Sequence, residues 1–244
     1  MRIHRLHLTD YRNFAHLDIN LRDGVSIFVG DNAQGKSNLL EAVYLLATMR
    51  GLRAETDAQL IRRESLDGAL PAARVVAEGE TREGPLKLEV TIVARPGPQG
   101  PIATKTVKVN GVPRRLSDAV GRLTAVLFSA EDLELITSSP SGRRRFLDVM
   151  LAQVDPQYSA ARSRFERVLL QRNHLLKRIR EGQARPDELP FWDGELCRDG
   201  GLIFQRRAAA LRQIAAIGGE VHGHLAPGDV FGVHYQPRLD GERL

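Results

Sequence analysis

The stretch GVSIFVGDNAQGKSNLLEA, residues 24–42, decides how this chain is read. Gly30, Gly35, Lys36 and Ser37 fall in the order G-x-x-x-x-G-K-S, the spacing of a phosphate loop, which needs a strand before it and a helix after it. Val25, Ile27 and Val29 alternate, with Phe28 also apolar, and predict a buried strand; Leu39, Leu40, Val43, Leu46 and Ala47 recur at helical spacing. The residue types suit the chemistry. The backbone N–H groups of Asp31, Asn32, Ala33, Gln34, Gly35, Lys36 and Ser37 can wrap an anion if side chains stay clear of the turns, hence the two glycines, and the helix start adds its positive dipole end. Lys36 is expected to reach the β- and γ-phosphates of ATP, and the Ser37 hydroxyl to ligate Mg²⁺. A Gly-Lys turn opening an ordinary helix is the bland alternative.

The rest of the composition narrows the partners. The chain has 244 residues, 42% hydrophobic and 27% charged, enough for one large domain or two small ones with a real core. No apolar run approaches the ~20 residues that span a bilayer, and the N-terminus carries no signal-peptide pattern, so no membrane role and a cytoplasmic location are expected. Cys197 is the single cysteine, which excludes an intrachain disulfide and a cysteine-cluster metal site. The seven histidines are scattered, and a zinc site is not expected. A net charge of +5 makes a polyanion a plausible partner. The charge is blocked: Arg143 to Arg180 holds ten Lys or Arg against three acids, and Glu181 to Asp199 six acids against two bases.

Along the chain, RIHRLHLTDYRNFAHLDINL predicts two strands joined through TDYRNF, and a third strand feeds the phosphate loop. Residues 74–95 and 102–116 alternate again, with Asn110-Gly111 as a hairpin turn, which makes a β arm. LTAVLFS at 123–129 predicts a buried strand, followed by Glu131 and Asp132 where the chain turns out of the sheet. From Ser141 the period becomes helical, in three apolar stripes separated at Pro186 and Pro190, and DVFGVHYQPRL at the end resumes a strand pattern. The expected organisation is an ATP-binding lobe with the β arm over residues 1–130, a helical lobe over 131–226, and a strand at 227–244 returning to the first lobe.

LTDYRNF, GDNAQGKSNLLEA, LFSAEDLELI with SPSGRRRFLD, and FWDGELCRDGG, in this order and spread over essentially the whole chain, resemble the RecF family of ABC- and SMC-like ATPases. The resemblance implies an α/β fold: an ABC/SMC-like P-loop ATPase head, a mixed sheet with a β arm, carrying an inserted all-α lobe. It also implies ATP and Mg²⁺ as cofactors, ATP-dependent homodimerisation, binding to DNA at gapped duplex or single-strand/double-strand junctions, and collaboration with RecR and RecO. Two departures stand out. Ala33 occupies a position where the family's loop commonly has a third glycine, which is acceptable if its φ stays negative. The family's LSGGQ-like signature and carboxylate strand (Walker B) are not found before Leu244, so the chain reads as a fragment with weak ATPase activity at most and no assignable catalytic residue.

By the same resemblance Arg12 and Asn13 approach the nucleotide, and Arg53 is similar to an arginine loop that meets the γ-phosphate; a polar turn and a solvated loop arginine are the alternatives. Glu131 stands where such folds place a Mg²⁺-sensing loop. Arg143, Arg144, Arg145, Arg162, Arg167, Lys177 and Arg178 form a basic run that either faces DNA phosphates or is a solvated helix face. No aromatics interleave with it, so duplex backbone contact is expected in preference to base stacking. Two other classes use the same loop: a small-molecule kinase, recognisable by turnover accelerated by an acceptor, and a noncatalytic module that uses ATP only as a clamp on DNA.

Overall fold

The structure, a computed structural model, describes residues 1–98, 100–137 and 139–236, the side chain of Glu131 excepted. The chain divides into two compact units, Met1–Arg143 and a second beginning at Arg144. In the first unit, β1 (Arg2–Tyr11), β2 (Phe14–Asn20), β3 (Ala72–Thr81), β4 (Gly84–Arg95), β5 (Ile102–Val109) and β6 (Val112–Arg114) form a six-stranded sheet in the order β2-β1-β3-β4-β5-β6. Every pairing in it is antiparallel. The alternation that marks these segments in the sequence is the alternation of the pleat: Leu6 and Leu8, then Val75 and Ala77, then Leu88, Val90 and Ile92 point to one buried face. Asn110 and Gly111, both at positive φ (50° and 80°), turn β5 into β6 as the sequence predicts.

Helix α1 (Lys36–Thr48) lays Leu39, Ala42, Leu45 and Leu46 against this face, and the core of the unit is the layer between them. A short 3₁₀ turn, Asp57–Leu60, closes one end of the layer with Leu60 buried. The long connection from α1 to β3 therefore stays beside the helix that precedes it.

The second unit is helical, as the change of period at Ser141 predicts. A four-residue α2 (Leu116–Ala119) belongs to the first unit; α3 (Pro140–Val154) straddles the division, and α4 (Pro156–Arg180) and α5 (Leu189–Leu225) follow. Asp155 caps α4, its Oδ1 accepting from the N–H groups of Gln157 and Tyr158, with Pro156 at the first helical position.

Three expected strands are not strands here. Residues 25–29 and 124–129 lie outside any ladder, with Val25, Ile27 and Val29 91%, 81% and 90% exposed, and residues 230–236 are likewise irregular. The physical reason is pairing: an apolar alternating segment becomes a strand only where a neighbouring chain supplies N–H and C=O partners. The sheet that forms is therefore antiparallel rather than mixed. Of the terminal segment expected at 227–244, residues 237–244 lie outside the described residues.

Candidate nucleotide site

The loop between residue 30 and α1 is shaped by its backbone. Gly30 sits at φ 156°, Ala33 at 66° and Gly35 at 101°. Ala33 is therefore left-handed, against the expectation of a negative φ. Turning successive N–H groups to one side requires left-handed residues between ordinary ones, and the loop takes one at Ala33 although its Cβ disfavours it. Gly35 is demanded twice over: besides its φ, a Cβ there would lie 2.6 Å from Phe14 Cζ and 2.7 Å from the Asn13 amide. Alanine there would be strained by the positive φ and would have to push the Phe14 and Asn13 side chains aside.

Helix α1 starts at Lys36 with no side-chain cap on its first turn and no acidic residue in it. Its free N–H groups and dipole thus present an uncompensated positive end. The Lys36 ammonium lies over the loop and donates to the carbonyls of Gly30 and Asp31, both at 2.6 Å. Ser37 is exposed beside it, and Asp31, Asn32, Ala33 and Gln34 are exposed around it.

The turn Arg12-Asn13 meets this loop in an unexpected way. Asn13 is against Gly35, and its Oδ1 accepts from the Asn38 amide at 2.8 Å, so one of the two turn residues touches the loop. Arg12 does not point out as a phosphate ligand. Its Nε and Nη2 donate to Glu41 at 2.8 and 2.7 Å, in a two-pronged fork, and its Nη1 donates to the Gln59 carbonyl at 2.9 Å. Glu41 is only 3% exposed and also accepts from the N–H groups of Leu52 and Arg53 at 3.0 and 3.2 Å. Burial alone would raise the Glu41 pKa, but the Arg12 fork and the two amides hold it below its ordinary value. Burial would lower that of Arg12, and Glu41 more than reverses this. The backbone N–H of Arg53 is thus anchored to Glu41.

Glu41 was not singled out in the sequence. The available signal is an acid at position i of a stripe whose i+4 and i+7 residues, Leu45 and Thr48, are buried. The side chain of Glu131 lies outside the described residues. Asp132 is a cap: its Oδ2 accepts from the N–H of Ser129 at 2.6 Å. His7, His16 and Asp18 gather on the β1–β2 hairpin. Both Asp18 oxygens accept from Arg5, so this group is an exposed arginine–carboxylate pair with two histidines beside it.

The basic run of the helical unit is largely engaged. Arg162 pairs with Asp148 and Glu166, Lys177 with Glu181, Arg178 with the Gln183 carbonyl, and Arg143 donates to the Ile136 carbonyl. Arg164 and Arg172 are held by Asp199 and Asp193. Arg144, Arg145 and Arg167 are exposed, and no acidic or carbonyl partner holds them among the described residues. No described helix is long and apolar enough to cross a membrane.

Residues 1–73 match the family model of an AAA ATPase domain. The DNA replication and repair protein RecF of Chloroflexus aurantiacus is 38% identical over 238 residues, covering 94% of this chain and 61% of that protein. That of Roseiflexus castenholzii is 40% identical over 240 residues, with the same coverage of 94% and 61%. A solved structure of the recombination mediator protein RecF-ATP in the RecFOR pathway superposes with a TM-score of 0.79 at 27% identity, covering 96% of this chain and 62% of that one. Over nearly all its own length the chain is similar in sequence and in fold to RecF proteins, and it spans about three-fifths of the relatives it matches, 61% in each of the two named.

Proposed function

We propose that this chain is the nucleotide-binding portion of a DNA replication and repair ATPase of the RecF type, and that residues 30–37 hold the phosphates of ATP. The observation that carries this reading is the meeting of two positive features at one loop, the uncapped N-terminus of α1 and the Lys36 ammonium, on a backbone turned at Gly30 and Gly35. The residues fit the nucleotide. The N–H groups of Asp31 to Ser37 would hold the β-phosphate, Lys36 would neutralise the β- and γ-phosphates, and the Ser37 hydroxyl would ligate Mg²⁺. The metal supplies charge neutralisation on the phosphate oxygens. Likeness to DNA replication and repair proteins, one of them a recombination mediator in the RecFOR pathway, supports a role for this chain in DNA replication and repair alongside RecO and RecR.

Arg144, Arg145 and Arg167 are available to contact DNA backbone phosphates, whereas Arg162 and Lys177 serve ion pairs within the helical unit. The decisive experiment is at the loop. Lys36→Ala should abolish ATP binding with an unchanged far-UV circular dichroism spectrum, because the ammonium is half exposed and bonds only to loop carbonyls. A folded Lys36→Ala protein that binds ATP as tightly as the parent removes the assignment.

A further inference from the structure

We infer that Glu41 is a positioning residue for the phosphate loop: through Arg12 it holds the β1–β2 turn so that Asn13 fixes the loop at Gly35 and Asn38. This rests on the nucleotide-site reading above and adds to it a residue that bonds to neither the loop nor its flanking turn residue Asn13. The chain of contacts is continuous. Glu41 is on the buried face of α1, one turn beyond the loop, and takes the Arg12 fork on both oxygens. Arg12 is itself at φ 56°, a left-handed conformation that is strained for a non-glycine residue and needs fixed partners to persist. Those partners are Glu41, the Gln59 carbonyl, and the Leu60 carbonyl, which accepts from the Arg12 N–H at 2.9 Å. The next residue is Asn13, whose amide lies at Gly35 and accepts from Asn38 in the first turn of α1.

The physical logic is that of a rigid support. An anion cradle of backbone N–H groups works only if those groups are aimed before the anion arrives, and an aim lost by about 1 Å costs on the order of 100-fold. Residues 30–34 of the loop are exposed whereas Gly35 is buried, so the aim comes from what presses on Gly35. Glu41 also accepts from the amides of Leu52 and Arg53, so the same carboxylate fixes the segment that leaves α1. One buried anion therefore sets two backbone segments on either side of the helix that carries Lys36.

The test uses Glu41→Gln, which keeps an oxygen for the Leu52 and Arg53 amides but gives up the charged fork to Arg12. Asn13→Ala and the double variant complete a cycle, with Lys36→Ala as the control. ATP affinity is measured by titration of the full chain, and the unfolding temperature is taken without nucleotide. Glu41→Gln is expected to weaken ATP about tenfold. Asn13→Ala should do the same, and the double variant no more than either alone, because both act through one contact. A purely structural Glu41 would lower the unfolding temperature and leave ATP affinity, measured well below it, unchanged. That result, or additive losses in the double variant, overturns the inference while Lys36→Ala still fails to bind. If Lys36→Ala binds normally, the nucleotide-site reading itself has failed.

Discussion

Ala33 carries a left-handed φ of 66° in the middle of the loop, and a Cβ there is paid for in backbone energy of roughly 1–2 kcal/mol. Glycine takes the same conformation without that penalty but loses more freedom on folding, about 0.5–1 kcal/mol. The difference favours glycine. Ala33→Gly should raise the unfolding free energy by about 1 kcal/mol, visible as a rise of about 2–4 °C in unfolding temperature for a protein of this size. Ala33→Val should lower it, because a β-branched side chain tolerates positive φ least. Equal unfolding temperatures for the three proteins would mean that Ala33 takes a negative φ in solution. The same residue shows how a sequence can mislead at this scale: alanine is compatible with most conformations, so its identity conveys no φ. The Gly30–Gly35 spacing does, because each glycine answers a need that another residue meets poorly.

At the scale of elements, α3, α4 and α5 are joined by one buried carboxylate. Asp148, 5% exposed, accepts from Arg207 Nε and Nη2 at 2.9 and 2.6 Å and from the Tyr158 hydroxyl, and pairs with Arg162 at 3.2 Å. Burial, then the Asp148 hydrogen bond, drives the Tyr158 pKa upward, so the phenol remains a donor at neutral pH. Asp148→Ala would leave the part-buried Arg207 guanidinium with only the Tyr158 hydroxyl and Arg162 with only Glu166, and should cost about 3 kcal/mol of stability. Arg144→Glu with Arg145→Glu touches no such network, and should change stability by about 0.5 kcal/mol or less per site while weakening DNA and flattening its salt dependence. Denaturant unfolding and DNA titration across salt concentrations distinguish the two; a DNA affinity untouched by the paired reversal would put the DNA surface elsewhere. The sequence shows the helices and the basic run plainly, because their periodicity is local. It does not show which arginines are engaged, since Arg207 and Asp148 are 59 residues apart and only the fold brings them together. The pairing of Arg12 with Glu41, 29 residues apart, is hidden for the same reason. The strand expected at residues 25–29 failed for a related one. Alternation describes the side chains of a strand, whereas a ladder depends on a neighbour that the segment itself does not encode.

The whole molecule presents apolar surface where the family's resemblance implies sheet. In the first unit Val25, Ile27 and Val29 are 91%, 81% and 90% exposed, and Val126 and Phe128 101% and 76%. Two apolar segments exposed in this way form a surface on which another chain segment can pack. The relatives are longer than this chain, which spans 61% of the two named above. We expect that the rest of the relatives' length supplies strands to these segments, along with the carboxylate that helps hold Mg²⁺ and the signature that closes over a partner's nucleotide. Phosphoryl transfer to water needs all three parts, whereas binding needs the loop alone, because its N–H groups and Lys36 are local to one turn and one helix. The 244-residue chain should therefore bind ATP, hydrolyse it very slowly, and bind a hydrophobic dye such as 8-anilinonaphthalene-1-sulfonate. A chain of the relatives' full length should bind less dye, turn ATP over faster, and gain mass in an ATP-dependent way in sedimentation. Equal dye binding in the two would show that the exposed segments are not covered by the added length. Equal turnover and equal dimerisation would place the catalytic carboxylate within residues 1–244, with Glu131 and Asp132 the first to replace by alanine.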